Sequence, residues 1–464
     1  MIMNEFYKAT KKNTLQFVFF FLVIIVSAFL LTTPYYMLSM LPGLALIFMF
    51  VIMRFPYFGF YAIIFLIPFG AYRGLGGQFG FVRLHWIIAA CLILLIFFKQ
   101  LFKKGIPGDV RSNLWPLLCV FFVVNLISAL LSSYMETSFK DVALLVVSCC
   151  FISLNLIFIS QNGFRKTLPS VLIWSVTIGS FLAVIGNEFE LSFFTSAVGS
   201  ARGVGGSTDP NNMSLMIIFI LPLLVYRFLY EQRIRSRVLA AVLIFINLFA
   251  LVITYSRGGA LILVLTVFLI FIEHVRKIKP KHLGIIIAFL SFVLVVTLLA
   301  VPGDYWQRQK SLTEWQDAPL KRRTSYLYAG FDIFKRDPLL GAGPGAFRYI
   351  YAQTDYARKF ERKGKPLLRY AHNTYLEILA GTGLVGLFLF LAVLFVACKN
   401  FNKAKKNFFN RNDQQMAALV GTYRVSYLSL LLYLFIFSDI YHKYLLLSLP
   451  LSQVALNLSC WEEK

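Results

Sequence analysis

The chain has 464 residues, of which 59% are hydrophobic and only 14% charged, and its mean hydropathy is +0.73. That polar fraction is too small to cover a water-soluble fold of this length. The 45 Lys and Arg against 21 Asp and Glu give a formal net charge of +24, but the basic residues sit in short clusters between apolar blocks. They therefore report membrane topology, and no nucleic-acid partner is expected.

The apolar residues form continuous blocks of about 20, the length that crosses a bilayer as a helix. Ten-residue alternation, the mark of a β-barrel, is absent. The blocks lie near residues 15–31, 37–53, 56–70, 82–98, 114–132, 139–160, 168–187, 212–230, 237–254, 258–273, 282–301, 373–397, 415–437 and 439–458. Those at 37–53 and 56–70 are short. The pattern predicts an all-α, polytopic helical membrane protein of about 12–14 spans, with residues 1–464 as a single membrane domain. The first block follows Lys8, Lys11 and Lys12 with no small-residue cleavage site after it, and reads as an uncleaved anchor.

Basic clusters fall in every second loop: Lys99/Lys103/Lys104/Arg111, Arg165/Lys166, Arg227/Arg233/Arg235/Arg237, Arg276/Lys277/Lys279/Lys281 and Lys399/Lys403/Lys405/Lys406/Arg411. Placing these loops in the cytoplasm puts both termini there too. The intervening loops then face outward, and one is large. Residues 302–371 carry fourteen Lys and Arg against seven Asp and Glu, a net of +7. Long loops escape the positive-inside rule, so this charge is available to an anionic partner as well as to lipid headgroups. Within the loop Tyr326, Gly330, Ile333 and Phe334 recur at helical spacing. Asp337-Pro338 is a stop signal, and Gly341 to Gly345 forms a glycine-rich turn. Short helices lying on the outer membrane face are expected, with Tyr305, Trp306, Trp315, Tyr326, Tyr328, Tyr349, Tyr351, Tyr356 and Tyr370 at the interface.

Several polar residues stand where polarity is costly. The stretch 237–273 is too long for one span and its only breaker is Tyr255-Ser256-Arg257-Gly258-Gly259, so the chain must reverse there, with the glycines permitting a tight turn. Arg257 then lies at the outer boundary, either snorkelling to headgroups or aiming a guanidinium fork at a phosphate. Lys321-Arg322-Arg323 opens the loop's helical stretch, as a solvated face or as a second anion contact. His372-Asn373 immediately precedes a span, with Glu377 one turn inside it. Gly381, Gly383 and Gly386 would let another helix approach closely. A histidine near neutral pH can act as a general base toward a hydroxyl; the alternative is a helix cap. In the loop Arg202 to Asn212, Asp209, Asn211 or Asn212 can cap the next helix with Pro210 in its first turn, or Arg202 and exposed N–H groups can hold an anion. Arg73 and Arg83 flank another glycine-rich outer loop. The cysteines imply no disulfide framework, and no metal-ligand spacing is present, so neither a metal nor a cofactor is expected.

In order, Ser256-Arg257-Gly258-Gly259, Arg323 fifteen residues before Pro338, the segment Pro338 to Phe347, and His372-Asn373 with Gly383 and Gly386 resemble the O-antigen ligase-related family. That family holds bacterial O-antigen ligases and O-antigen or exopolysaccharide polymerases. The motifs cover roughly residues 200–390. One departure is Leu327, where the family often has Trp four residues after the loop arginine; it keeps Arg322 open beside Arg323.

The resemblance implies transfer of a glycan from an undecaprenyl-diphosphate donor to a hydroxyl acceptor, on the periplasmic side of the bacterial inner membrane. It implies His372, Arg257 and Arg323 as catalytic residues, with Arg202, Arg322, Asn373, Glu377 and Arg73 added here as candidate contacts to diphosphate or glycan. The acceptor would be lipid A–core for a ligase or a second lipid-linked glycan for a polymerase. The histidine spacing favours a ligase; the Thr208 to Asn211 loop leaves a polymerase open. A lipid-carrier flippase also suits the span number, but it needs its polar residues inside the bundle rather than a long charged loop. A polyprenyl-phosphate glycosyltransferase with acidic residues in its first outer loop does not fit, since loops 32–36 and 71–81 contain no Asp or Glu.

Overall fold

Inside lipid each backbone N–H and C=O must find a partner within the protein, and a helix supplies one along its own length. The computed structural model describes residues 54–69, 84–101, 110–189, 203–207, 209–275, 318–360 and 368–460, with isolated positions elsewhere. Among these it is helical, without strands. The helices are α1 (Pro56–Phe65), α2 (Leu84–Leu101), α3 (Trp115–Leu131), α4 (Met135–Phe158), α5 (Leu168–Glu188), α6 (Pro210–Tyr230), α7 (Ile234–Ile253), α8 (Arg257–His274), α9 (Ala318–Arg336), α10 (Phe347–Ala352), α11 (Asp355–Arg358), α12 (Thr374–Asn410), α13 (Gln414–Tyr433) and α14 (Lys443–Cys460).

Seven of the described helices are long and apolar enough to cross a membrane: α4, α5 with its preceding turn from Gly163, α6, α7, α8, α12 and α13. The chain is a polytopic, all-α membrane protein. The blocks at 15–31, 37–53 and 282–301 fall outside the continuously described residues. The block at 56–70 is the ten-residue α1 followed by a tight turn, Ile67–Phe69. At 1.5 Å per residue α1 reaches only about 15 Å, half a bilayer core. The final block is α14, which carries Ser448, Ser452, Gln453 and Asn457 and is not among the seven.

Contacts divide the chain into two units, residues 1–63 with 84–105 and residues 64–83 with 106–464. In the second unit α6 is central. It packs against α5, α7, α8 and α13, and its run from Met213 to Leu224 is buried. Asp209 caps it, its carboxylate accepting the N–H of Asn211 at 2.6 Å, with Pro210 in the first turn. The expected reversal lies between α7 and α8. Its left-handed residue is Tyr255 (φ 51°), not a glycine. Ser256 caps α8 by accepting the N–H of Gly259 at 3.1 Å. Gly259 is needed for packing instead: a Cβ there would lie 2.8 Å from the Ser214 hydroxyl.

The expectation of a neighbouring helix at Gly381, Gly383 and Gly386 is replaced by a different arrangement. α12 is broken at Gly383 (φ 65°, ψ −163°). The break strips Ala380 and Gly381 carbonyls of their helical donors, and the glycine-rich segment after α9 supplies new ones. Ala342 N–H donates to Ala380 O and Gly343 N–H to Gly381 O, both at 2.9 Å. In return Leu384 and Val385 donate to Pro338 O and Leu339 O at 2.9 and 3.3 Å. Ser128 of α3 bridges Leu340 O and Gly381 O, and Ser132 donates to Ala342 O. A chain segment thus repairs the broken helix, which is how irregular backbone survives at membrane depth. Gly341 (φ 66°), Gly343 (φ 110°) and Gly345 (φ 73°) adopt the left-handed conformations this route requires.

As the Asp337-Pro338 signal predicts, α9 ends at Arg336. Its Tyr326, Ala329 and Ile333 form a small core with Phe347 and Tyr351 of α10, Ala357, Ala371, and Leu376 and Ala380 of α12. Tyr326 and Tyr351 are buried in that core rather than interfacial, joined edge to face at 4.8 Å. Tyr328 and Tyr370 remain exposed; Tyr305, Trp306 and Trp315 lie outside the described residues.

Candidate functional site

The first turn of α12 fixes His372. Asn373 is the extended cap residue, its side-chain oxygen accepting the N–H of Leu376 at 3.1 Å. Immediately before it His372 takes a left-handed conformation (φ 50°), uncommon for a residue with a Cβ and characteristic of strained functional turns. This turn is tied to the chain leaving α13. Asn373 N–H donates to the Ser438 hydroxyl at 3.0 Å. Thr374 N–H reaches Leu434 O and Phe437 O at 2.9 and 3.1 Å, while its hydroxyl donates to Phe437 O and accepts Asp439 N–H.

The His372 ring lies on Tyr326, with centroids 5.8 Å apart. Its pKa is pushed down to about 4, first by burial and then by the positive charge of Arg323. Asp209 opposes this shift, and Arg369 and Arg322 reinforce it. The imidazole is therefore neutral at pH 7 and can accept a hydrogen bond or a proton. Residues from α9, the α6 cap and the segment before α12 converge electrostatically on one histidine.

Arg323 is exposed and Arg322 partly so. Arg323 acts on Tyr433 of α13 as well as on His372, and weighs more on His372 than Arg322 does. Arg257 is the first residue of α8. Its neighbour Ser256 donates to Asn211 Oδ1 at 2.9 Å, and the Tyr433 hydroxyl donates to Asn211 O at 2.8 Å. The Arg257 turn and the His372 turn are thus both attached to the end of α13.

Not every expected residue joins this group. Asn373 uses its side chain as the cap of α12. Glu377 meets the Ser438 hydroxyl and shares its surroundings with Asp141, Asp439 and Arg348. Arg202 and Arg73 lie outside the described residues. Arg369 was not anticipated. It acts on His372, and its Nε is buried without a hydrogen-bond partner among the described residues. The only signal for it is its place three residues before the histidine. His442, also at this end, is buried and fully engaged: Nε2 meets Asn212 Oδ1 at 2.9 Å and Nδ1 accepts Tyr444 N–H. Burial, then Lys443, depress its pKa to about 3, which suits a structural role. Among the described residues no three His, Cys, Asp or Glu side chains group closely enough to hold a metal ion.

No curated protein matches the chain. The protein family described as O-antigen ligase matches residues 239–391. That stretch runs from α7 into α12 and contains Arg257, Arg322, Arg323, Arg369, His372 and the repaired break at Gly383. Over those residues, about a third of its length, the chain is similar to the O-antigen ligase family, which supports a ligase- or polymerase-type role in O-antigen processing.

Proposed function

We propose that the chain is a membrane glycosyltransferase that moves a glycan from an undecaprenyl-diphosphate carrier to a hydroxyl acceptor, in the manner of an O-antigen ligase. The observation that carries this reading is the setting of His372, a neutral imidazole in a strained turn, set among arginine charges. The acceptor oxygen bonds to the anomeric carbon as the carbon–oxygen bond to the diphosphate breaks. The electron pair leaves with the diphosphate and the acceptor's proton passes to His372. Attack opposite the leaving group inverts the anomeric centre.

Arg257 and Arg323 meet the negative charge that gathers on the departing diphosphate, where pre-placed guanidinium groups are most effective. Arg322 and Arg369 add to this field, and Arg202 and Arg73 are further candidates from outside the described residues. A base whose pKa lies near 4 is weak. Binding of the diphosphate offsets the arginine charges and raises the histidine toward the range where it accepts a proton readily. The donor thereby switches on its own base. Guanidinium groups serve this role without a metal, so activity should persist in a chelator; loss in chelator with recovery on adding a divalent cation would overturn that part.

The alternation of basic loops supports cytoplasmic termini and a periplasmic site in a bacterial inner membrane. The test of the reaction is transfer by purified protein from a lipid-linked glycan, with Arg257→Ala and His372→Ala as folded, inactive controls. Deletion in the host separates the two acceptors. Long glycans left on the carrier with bare lipid A–core identify a ligase. Single repeats on lipid A–core identify a polymerase.

A further inference from the structure

Tyr433 is the last residue of α13 and only 1% exposed. Its position in an apolar helix would suit phenylalanine equally well, yet its hydroxyl is the centre of a closed polar knot. It donates to Asn211 O at 2.8 Å and stands 2.7 Å from the Ser214 hydroxyl. Ser214 also reaches Asn211 O at 2.9 Å. The Ser256 hydroxyl stands beside Tyr433 and donates to Asn211 Oδ1 at 2.9 Å. Asn211 N–H in turn is held by Asp209, whose charge acts on His372. The protons balance. Tyr433 gives its proton to Asn211 O, Ser256 gives its own to Asn211 Oδ1, and Ser214 can give its own to Tyr433 or Asn211.

The same helix end holds the other half of the site. Leu434 O, Phe437 O and Ser438 Oγ accept from Thr374 and Asn373, which follow His372 directly. On one side of the peptide bond between Tyr433 and Leu434, the chain is fastened to the turn bearing Arg257. On the other side it is fastened to the turn bearing His372. The separation of those turns is therefore set at this point of α13.

We propose that the Tyr433 hydroxyl is a positioning group that holds Arg257 in register with His372. This rests on the reading of those two residues as diphosphate and acceptor contacts. Tyr433 touches neither substrate; it acts through Ser256 and Asn211 on one arm and through its own chain on the other. Misplacement of reacting groups by about an ångström costs up to about 100-fold in rate, so losing the hydroxyl should slow chemistry without weakening donor binding.

The test is steady-state transfer by full-length protein in nanodiscs, using a polyprenyl-diphosphate oligosaccharide and a hydroxyl acceptor, for wild type, Tyr433→Phe, Ser256→Ala and the double variant. Tyr433→Phe should lower kcat about 10- to 100-fold per folded molecule with donor KM within about twofold. Ser256→Ala, which also removes the cap of α8, should lower kcat at least as much, and the double variant no further than Ser256→Ala, because both cut the same link. A merely structural tyrosine would lower the folded yield and leave kcat unchanged; that result, or multiplicative effects in the double variant, overturns the proposal. If Tyr433→Phe does not fold, Ser256→Ala and Ser214→Ala carry the same cycle. Folded wild type that transfers nothing would refute the proposed function itself, and the positioning role with it.

Discussion

The backbone N–H of Gly343 donates to the carbonyl of Gly381 across 2.9 Å, filling a position that α12 leaves open by breaking at Gly383. The two residues belong to different elements, and the bond joins the loop that carries the arginines to the helix that follows the histidine. Through this repair the layer of α9, α10 and α11 is seated on α12, and Arg323 is held within electrostatic reach of His372.

Gly383→Ala should therefore be strongly destabilising. Its backbone conformation is open essentially only to glycine, and forcing a side chain into it costs on the order of 1–3 kcal/mol; a Cβ there would also run into the backbone of Leu339 and Leu340. Thermal unfolding in detergent should show a lowered midpoint, and the surviving folded fraction should lose activity as α9 unseats. An unchanged midpoint would mean that the repair contributes little.

The pH dependence of transfer follows from the sign of the His372 shift. Burial and Arg323, with Arg369 and Arg322, hold its pKa down to about 4, against Asp209. In the proposed reaction the active form is the neutral base, so activity should fall as pH drops through that pKa. The acid limb of kcat/KM, which reports free enzyme, should lie near pH 4. The limb of kcat should lie higher, because bound diphosphate offsets the arginines. Coincident limbs would argue against an electrostatic link between donor and base.

Arg322 and Arg323 separate by the same logic. Arg323→Ala should move the acid limb of kcat/KM upward, since it removes the larger positive influence on His372, and should cost about 100-fold in kcat, as loss of a transition-state charge contact does. Arg322→Ala should move the limb less. Equal shifts from the two variants would remove the distinction between them.

A control away from the site is Glu273, buried near the far end of α8 and paired at 2.5 Å with both Lys405 of α12 and Arg424 of α13. Its partners are a third and a quarter exposed, so Glu273→Gln should cost less than a fully buried pair, about 2 kcal/mol. Thermal unfolding should detect the loss while kcat per folded molecule stays unchanged.

The helices were legible because lipid leaves a hydrophobic block few alternatives. The cap at Asp209, the stop at Asp337-Pro338 and the reversal at Ser256 were legible because each is decided by neighbouring residues. The repair between Gly343 and Gly381 was not, since its partners are far apart in sequence and backbone exchange leaves no side-chain pattern; the glycines marked both places without naming their partner. Tyr326 and Tyr351 look interfacial by composition and are buried because α10 folds back onto α9. Tyr433 sits inside an apolar block, where nothing in the spacing separates a positioning hydroxyl from a core ring. Arg369 is one basic residue among fourteen in a charged loop, and only folding singles it out.

The most direct test of the account is glycan transfer by folded His372→Ala protein compared with wild type, in nanodiscs with a lipid-diphosphate glycan and a hydroxyl acceptor. Loss of a general base predicts a fall of about 100- to 10,000-fold in kcat with donor binding retained. Transfer at a near-wild-type rate would contradict the assignment of His372 as the group that receives the acceptor's proton.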